Sequence, residues 1–116
     1  MQILINPAYQ ADVNHGDSLG RTPLHFAAAS GNGNVMVLLL SVEGCRVDPR
    51  SCGGETPLMR AIQHGKVNAV RLLLERGANP IGIRNISGLN ALDFARITRN
   101  NDIQAMINQV VPQGTD

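Results

Sequence analysis

The chain has 116 residues, a formal net charge of +1, 3% aromatic residues and no Trp. That length fits one domain able to bury well over half of its unfolded surface, and the near-neutral balance gives no overall attraction to nucleic acid or to an anionic membrane surface. With large side chains so scarce, Leu, Val, Ile, Ala and Met must fill the core, which suits thin stacked layers of short helices.

The opening residues, "MQILINPAYQADV", lack a basic region and hold an apolar run of only three residues. They do not read as a signal peptide, and no segment of the chain approaches membrane-spanning length. "TPLH" follows at 22–25, and its threonine and histidine raise the question of a catalytic pair. A step of 34 residues reaches "TPLM" at 56–59, and a second step of 34 reaches "NALD" at 90–93. A fixed period of this size is the mark of stacked repeats. His25 becomes Met59 and then Asp93, so we read it as a structural residue near a helix start.

In the first copy Thr22 is the expected cap and Pro23 the first helical residue, where a missing N–H costs nothing. "LHFAAAS" continues this first helix, its alanines keep it thin, and Gly31 provides the left-handed stop. A second helix is expected from about Asn34 to Gly44, so rich in Val and Leu that it should pack on both sides. The second copy repeats the plan, with Thr56, Pro57, a stop at Gly65, a helix through "VNAVRLLLER" and an end at Gly77. In the third copy Asn90 replaces the Thr cap, Ala91 replaces Pro, and Asn100 stands near the stop position. Its second helix, from about Asp102 to Val110 and stopped by Pro112, carries Asp102, Gln104, Asn108 and Gln109. That polar character suits a terminal repeat with no outer neighbour.

Between the copies, "VDPRSCGGE" and "PIGIRNISGL" read as extended, hairpin-like turns. Gly20, Gly54 and Gly88 each precede a cap by two residues, where a backbone conformation closed to bulkier residues is expected. Cys45 and Cys52 are seven residues apart, without zinc spacing or a histidine cluster. They flank an expected hairpin, which leaves a disulfide open; we favour free thiols in a reducing, cytoplasmic setting, with the nucleus also open. "NIS" at 85–87 matches a glycosylation acceptor pattern by chance. Residues 46–99 hold nine of the ten basic residues and four acids, and nine of the ten are Arg. Arginine suits protein interfaces and bidentate carboxylate contacts.

These residues resemble the ankyrin repeat family. The resemblance rests on "GRTPLHFAAASGN", "GETPLMRAIQHG", "LLLERGANP" and the upstream "ADVNHGDSLG", and it covers about residues 11–110. It implies an all-α solenoid of helix-turn-helix units joined by β-hairpin-like turns. The units are a partial repeat at 1–16, repeats at 17–50 and 51–84, a C-terminal capping repeat at 85–111 and a tail at 112–116. The family period is 33, so one extra residue is expected in each interval, around Ser41–Gly44 and in "IGIRNIS". A full N-terminal cap is missing from the sequence; either the first residues form an irregular lid, or this is the C-terminal part of a longer array. If that end is bare, Val35, Leu38 and Leu39 lose cover and self-association follows.

No phosphate loop, metal spacing, Cys–His pair or activated serine stands out, so no catalysis and no cofactor is expected. The resemblance implies binding of another protein on the concave face. The finger tips would contribute Ser18, Leu19 and Arg21, then Cys52, Gly53 and Glu55, then Ile86, Ser87 and Leu89. The first helices would add Ala29, Ser30, Arg60, Gln63, His64, Ile97 and Thr98. Leu19, Ile86, Leu89 and Ile97, with Arg60, form an anchor set, although Leu89 and Ile97 can equally serve terminal packing. The basic middle suits a partner with an acidic surface. Three roles fit: an adaptor, an inhibitor covering an enzyme's active site, or one array within a larger polypeptide.

Overall fold

The computed structural model describes residues 14–110. They form six helices: α1 (Pro23–Ser30), α2 (Gly33–Ser41), α3 (Pro57–Gln63), α4 (Val67–Glu75), α5 (Ala91–Thr98) and α6 (Asn101–Val110). Each odd-numbered helix pairs with the helix that follows it. The pairs then stack, α1 on α3 on α5 and α2 on α4 on α6. This is the expected solenoid. The partial repeat before Asn14 and the stop at Pro112 lie outside the described residues.

The cap positions recur as read. Thr22, Thr56 and Asn90 are extended and buried. Thr56 Oγ1 accepts from the Met59 amide at 3.3 Å, and Asn90 Oδ1 accepts from the Asp93 amide at 2.8 Å. Thr22 and Asn90 each close a capping box as well, the Thr22 amide donating to His25 Nδ1 at 3.0 Å and the Asn90 amide to Asp93 Oδ2 at 3.0 Å. Gly31 and Gly65 take φ of 73° and 68° and end the first helices. In the third repeat the left-handed residue is Arg99, at φ 59°, and not Asn100. Asn100 instead accepts the Ile103 amide at 3.1 Å and caps α6, as Asn32 caps α2 through the Val35 amide. Asparagine fits either role by type; only the strict 34-residue step separates them.

The core runs along the stack. Leu24, Met36, Leu58, Met59, Ile62, Leu73, Ile103 and Ile107 are fully buried. Ala27, Ala28, Ala61, Ala69 and Ala95 lie among them and let the helices approach closely. The expectation that α2 packs on both sides is not met among the described residues. Only Met36 is buried, while Val35, Val37 and Leu38 are exposed. Among the described residues α2 packs on α1 and α4.

Three fingers project from the helix layers at residues 17–21, 51–55 and 85–89. Each is closed by a 2.9 Å bond, from the amide of Asp17, Ser51 or Asn85 to the carbonyl of Arg21, Glu55 or Leu89. Gly20, Gly54 and Gly88 turn the tips at φ 76°, 79° and 83°. Neighbouring fingers are joined edge to edge, Cys52 N–H to Leu19 O at 2.8 Å and Ile86 N–H to Gly53 O at 3.0 Å. No strand is formed among the described residues.

The extra residues also fall where expected. The positive-φ glycines after α2 and α4 are Gly44 and Gly77, 33 apart, although the helix ends Ser41 and Glu75 are 34 apart. The first extra residue therefore lies between Ser41 and Gly44. The second lies beyond Gly77, where Asn79 Oδ1 collects the Ile81 and Gly82 amides at 3.1 and 2.7 Å.

Candidate protein-binding face

The fingers and the inner sides of α1, α3 and α5 form one face. Its clearest concavity lies between the first two fingers, a hollow of about 320 Å³ lined by Leu19, Arg21, His25, Ser51, Cys52, Gly53, Glu55 and Arg60. Six expected binding residues meet there: Leu19, Arg21, Cys52, Gly53, Glu55 and Arg60. Ala29, Gln63 and His64 line the inner helices beyond the hollow, with His64 exposed. Ser30 and Thr98 are also exposed, but their hydroxyls turn back to the carbonyls of Ala27 and Ala95. Ile86, Ser87, Leu89, Ile97 and Thr98 belong to the third repeat and do not enter the hollow. Ile86 is 80% exposed and Ile97 61%. Leu89 is half-buried.

Polar side chains hold the hollow in shape. Arg60 Nη1 donates to Gln63 Oε1 at 2.8 Å, Gln63 Nε2 donates to Glu55 Oε2 at 3.2 Å, and Arg60 lies 3.5 Å from Glu55 Oε1. One cation, one anion and one amide therefore present a fixed pattern of donors and acceptors. On the first finger Arg21 forks onto Asp17 Oδ2 through Nη2 at 2.8 Å and Nε at 3.0 Å. That hydrogen bonding holds the Asp17 carboxyl below its ordinary value. The Arg21 guanidinium also lies 4.9 Å from the centre of the Phe26 ring, a cation–π contact.

Phe26 was missed by sequence reasoning. It is half exposed and stands 34 residues before Arg60, a residue that was selected. The period alone would have added it.

His25 forms the floor of the hollow and is almost wholly buried. Its Nδ1 accepts from the Thr22 amide and its Nε2 donates to the Glu55 carbonyl at 2.8 Å. Both nitrogens are engaged, and burial lowers the pKa below 6.5. The ring is neutral and structural, as the sequence implied. Cys45 and Cys52 are both free thiols, and burial raises the Cys45 pKa. Among the described residues no group of three or more His, Cys, Asp or Glu is placed to hold a metal ion. No described helix is long and apolar enough to cross a membrane.

A stack of helix pairs with projecting fingers and a structured concave face defines a class of repeat solenoids built for recognition. The chain belongs to the ankyrin repeat family: the family's sequence profile, ankyrin repeats in three copies, matches residues 1–84. It is similar to the "Probable E3 ubiquitin-protein ligase XBOS33" of Oryza sativa subsp. japonica, 42% identical over 64% of this chain. It is also similar to the neurogenic locus notch homolog protein 1 of Xenopus tropicalis, 33% identical over 84% of the chain. Alpha-latrotoxin-Lg1a of Latrodectus geometricus is 34% identical over 84%. The chain spans 14%, 4% and 7% of the lengths of these relatives. Proteins named as a ligase, a notch homolog and a toxin share this module, which is a non-catalytic fold for protein interaction.

Proposed function

We propose that the concave face binds an exposed loop or extended segment of a partner protein, with the hollow between the first two fingers at its centre. The observation that carries this is the meeting of Leu19, Arg21, Cys52, Gly53, Glu55 and Arg60 around one concavity. Its chemistry favours a carboxylate next to an apolar side chain. Arg60 offers a planar donor set already oriented by Glu55 and Gln63, so little side-chain entropy is lost on binding. Leu19 and Ile86 supply exposed apolar area on either side. Arg50 and Arg84 stand at the bases of the second and third fingers. Arg50 donates to the Arg84 carbonyl at 2.7 Å, and Arg84 to the Gly88 carbonyl at 2.7 Å. They extend the basic character that suits an acidic partner surface.

A second reading rests on that basic character: the face closes over an acidic enzyme cleft and the chain acts as an inhibitor. A third rests on the small share of each relative that the chain spans, and makes the array one part of a longer polypeptide. An intracellular, reducing setting belongs to all three and is supported by the two free thiols. The exposed apolar side chains of α2 support self-association as well.

The test is affinity capture with the parent and with the triple variant Leu19→Ser, Arg60→Ser, Ile86→Ser. All three side chains are at least partly exposed, so folding should survive, as circular dichroism will show. A partner held by the parent and lost by the variant supports the concave face. Equal retention places binding elsewhere and sinks the proposal. Activity of a captured enzyme with and without this chain separates adaptor from inhibitor.

A further inference from the structure

One partly buried acid, at the base of the second finger, takes no part in the concave face. Asp48 follows Asn14 by one step of 34, and each stands shortly before its finger. Asn14 spans the linker after α2 with two bonds. Its Nδ2 donates to the Gly44 carbonyl at 2.7 Å, and its Oδ1 accepts from the Arg46 amide at 2.8 Å. One repeat on, Asp48 makes half of this arrangement. Its Oδ2 accepts from the Asn79 amide at 3.0 Å, and Asn79 follows Arg46 by 33 residues. Gly77 follows Gly44 by the same 33 and repeats its left-handed turn, at φ 90° against 85°. The Gly77 carbonyl is thus the counterpart of the one that Asn14 Nδ2 serves, and Asp48 Oδ1 is the counterpart of Nδ2. That oxygen is buried and has no hydrogen-bond partner. Among the described residues no donor reaches the Gly77 carbonyl. The repeat calls for a donor where an ionised carboxylate brings a second acceptor.

No charged side chain on the surrounding segments answers the mismatch. Arg50, on the second finger, donates to the Gly54 and Arg84 carbonyls. Arg76, in the linker after α4, donates to the Leu40 carbonyl at 3.4 Å. Arg84, at the base of the third finger, serves the Gly88 carbonyl and Asp93. Glu43, Arg46 and Glu75 are exposed. Asp48 forms no ion pair among the described residues. Burial, opposed by the Asn79 amide, raises its carboxyl above 3.8.

We propose that Asp48 is a proton-operated clasp: once protonated, its carboxyl donates from Oδ1 to the Gly77 carbonyl and closes the linker after α4 as Asn14 closes the linker after α2. The proton turns an acceptor into a donor with almost no change of shape. What the clasp holds is the seat of the third finger. Asn79 Oδ1 gathers the Ile81 and Gly82 amides. The Ile81 carbonyl accepts from Asn90 Nδ2 at 3.3 Å, and the Pro80 carbonyl from the Leu92 amide at 3.2 Å. Acid therefore tightens the segment that leads to Ile86 and caps α5, and ionisation loosens it. Burial of His25 acts the other way, because it disfavours the protonated ring.

NMR of the full 116-residue chain, from about pH 7 down to about pH 4, tests this. The Asp48 side-chain carboxyl carbon should titrate with a midpoint above 3.8. The Gly77 carbonyl carbon should move with the same midpoint. Through it, the exchange protection of the Gly82 and Leu92 amides, corrected for intrinsic exchange, should rise by about fivefold relative to Asp48→Asn. That variant supplies the donor permanently, so it should show the higher protection already at neutral pH and no Gly77 response. Both chains keep His25, so their difference isolates Asp48. A carboxyl titrating at or below 3.8 would mean that solvent satisfies the ionised form, and overturns the clasp. A raised midpoint without a Gly77 response places the proton elsewhere and overturns it too. An Asp48→Asn chain no better protected than the parent at neutral pH does the same. No partner enters the measurement, so its outcome is independent of the binding proposal.

Discussion

His25 Nε2 lies 2.8 Å from the carbonyl oxygen of Glu55, so a side chain on α1 fastens the base of the second finger. The same ring takes the Thr22 amide on its other nitrogen. One neutral imidazole joins a helix start to the neighbouring repeat.

This makes stability sensitive to acid. Burial lowers the folded pKa below 6.5, so the unfolded chain binds the proton first as pH falls. The stability contributed by the neutral ring is complete above pH 6.5 and drains away from there down to the lowered folded pKa. His25→Gln keeps an acceptor for the Thr22 amide, as glutamine does in a capping box. It should cost about 1 kcal/mol at neutral pH through the lost Glu55 contact. It should also flatten the pH dependence that the parent shows below 6.5. Urea unfolding above and below that pH is the check.

Asn14 and Asp48 occupy equivalent positions. Asn14 donates from Nδ2 to the Gly44 carbonyl at 2.7 Å and accepts from the Arg46 amide at 2.8 Å. Asp48 accepts from the Asn79 amide at 3.0 Å, but its other oxygen is buried without a partner. Burial raises its pKa above 3.8. Because the folded form holds its proton more tightly, the ionised carboxylate weakens the fold at neutral pH. Asp48→Asn should therefore stabilise by about 1 kcal/mol at neutral pH. The gain should shrink as pH falls toward the folded pKa, and thermal melts across pH will show whether it does.

Arg99 takes the conformation that glycine takes at Gly31 and Gly65. A left-handed non-glycine residue costs on the order of 1 kcal/mol, partly offset by the flexibility that glycine adds to the unfolded chain. Arg99→Gly should raise the melting temperature slightly and leave the concave face unchanged. A lower melting temperature would show that the Arg99 side chain contributes more than the strain costs.

Gly44 and Gly54 both need positive φ, at 85° and 79°. A Cβ at Gly44 meets open space, whereas one at Gly54 would stand 3.0 Å from Asn85 Cα and 3.1 Å from Ile86 N. Gly44→Ala should cost about 1 kcal/mol. Gly54→Ala should cost more, because it also pushes the third finger away from the second. Comparing denaturant midpoints decides it.

The fold was legible because its punctuation is written locally and repeated. Thr22 and Thr56, Pro23 and Pro57, Gly31 and Gly65 each carry a backbone instruction that needs no tertiary context. What escaped depends on neighbours. The exposure of Val37 and Leu38 follows from what lies beside α2, and composition says nothing of that. Arg99 hid its role because arginine carries no left-handed signal. Phe26 was readable from the period, because Arg60 stands one step of 34 after it. The fingers were readable from the period, but spacing alone cannot say that the first two enclose a hollow between them.

The extra residue of each interval has a consequence for recognition. It is taken up after α2 in one case and at Asn79–Gly82 in the other, so the turning glycines Gly20, Gly54 and Gly88 keep an unbroken step of 34. Length variation is thereby absorbed in linkers at the back, and the fingertips stay in phase. A lineage of such chains can gain or lose residues there without detuning what the fingers grip.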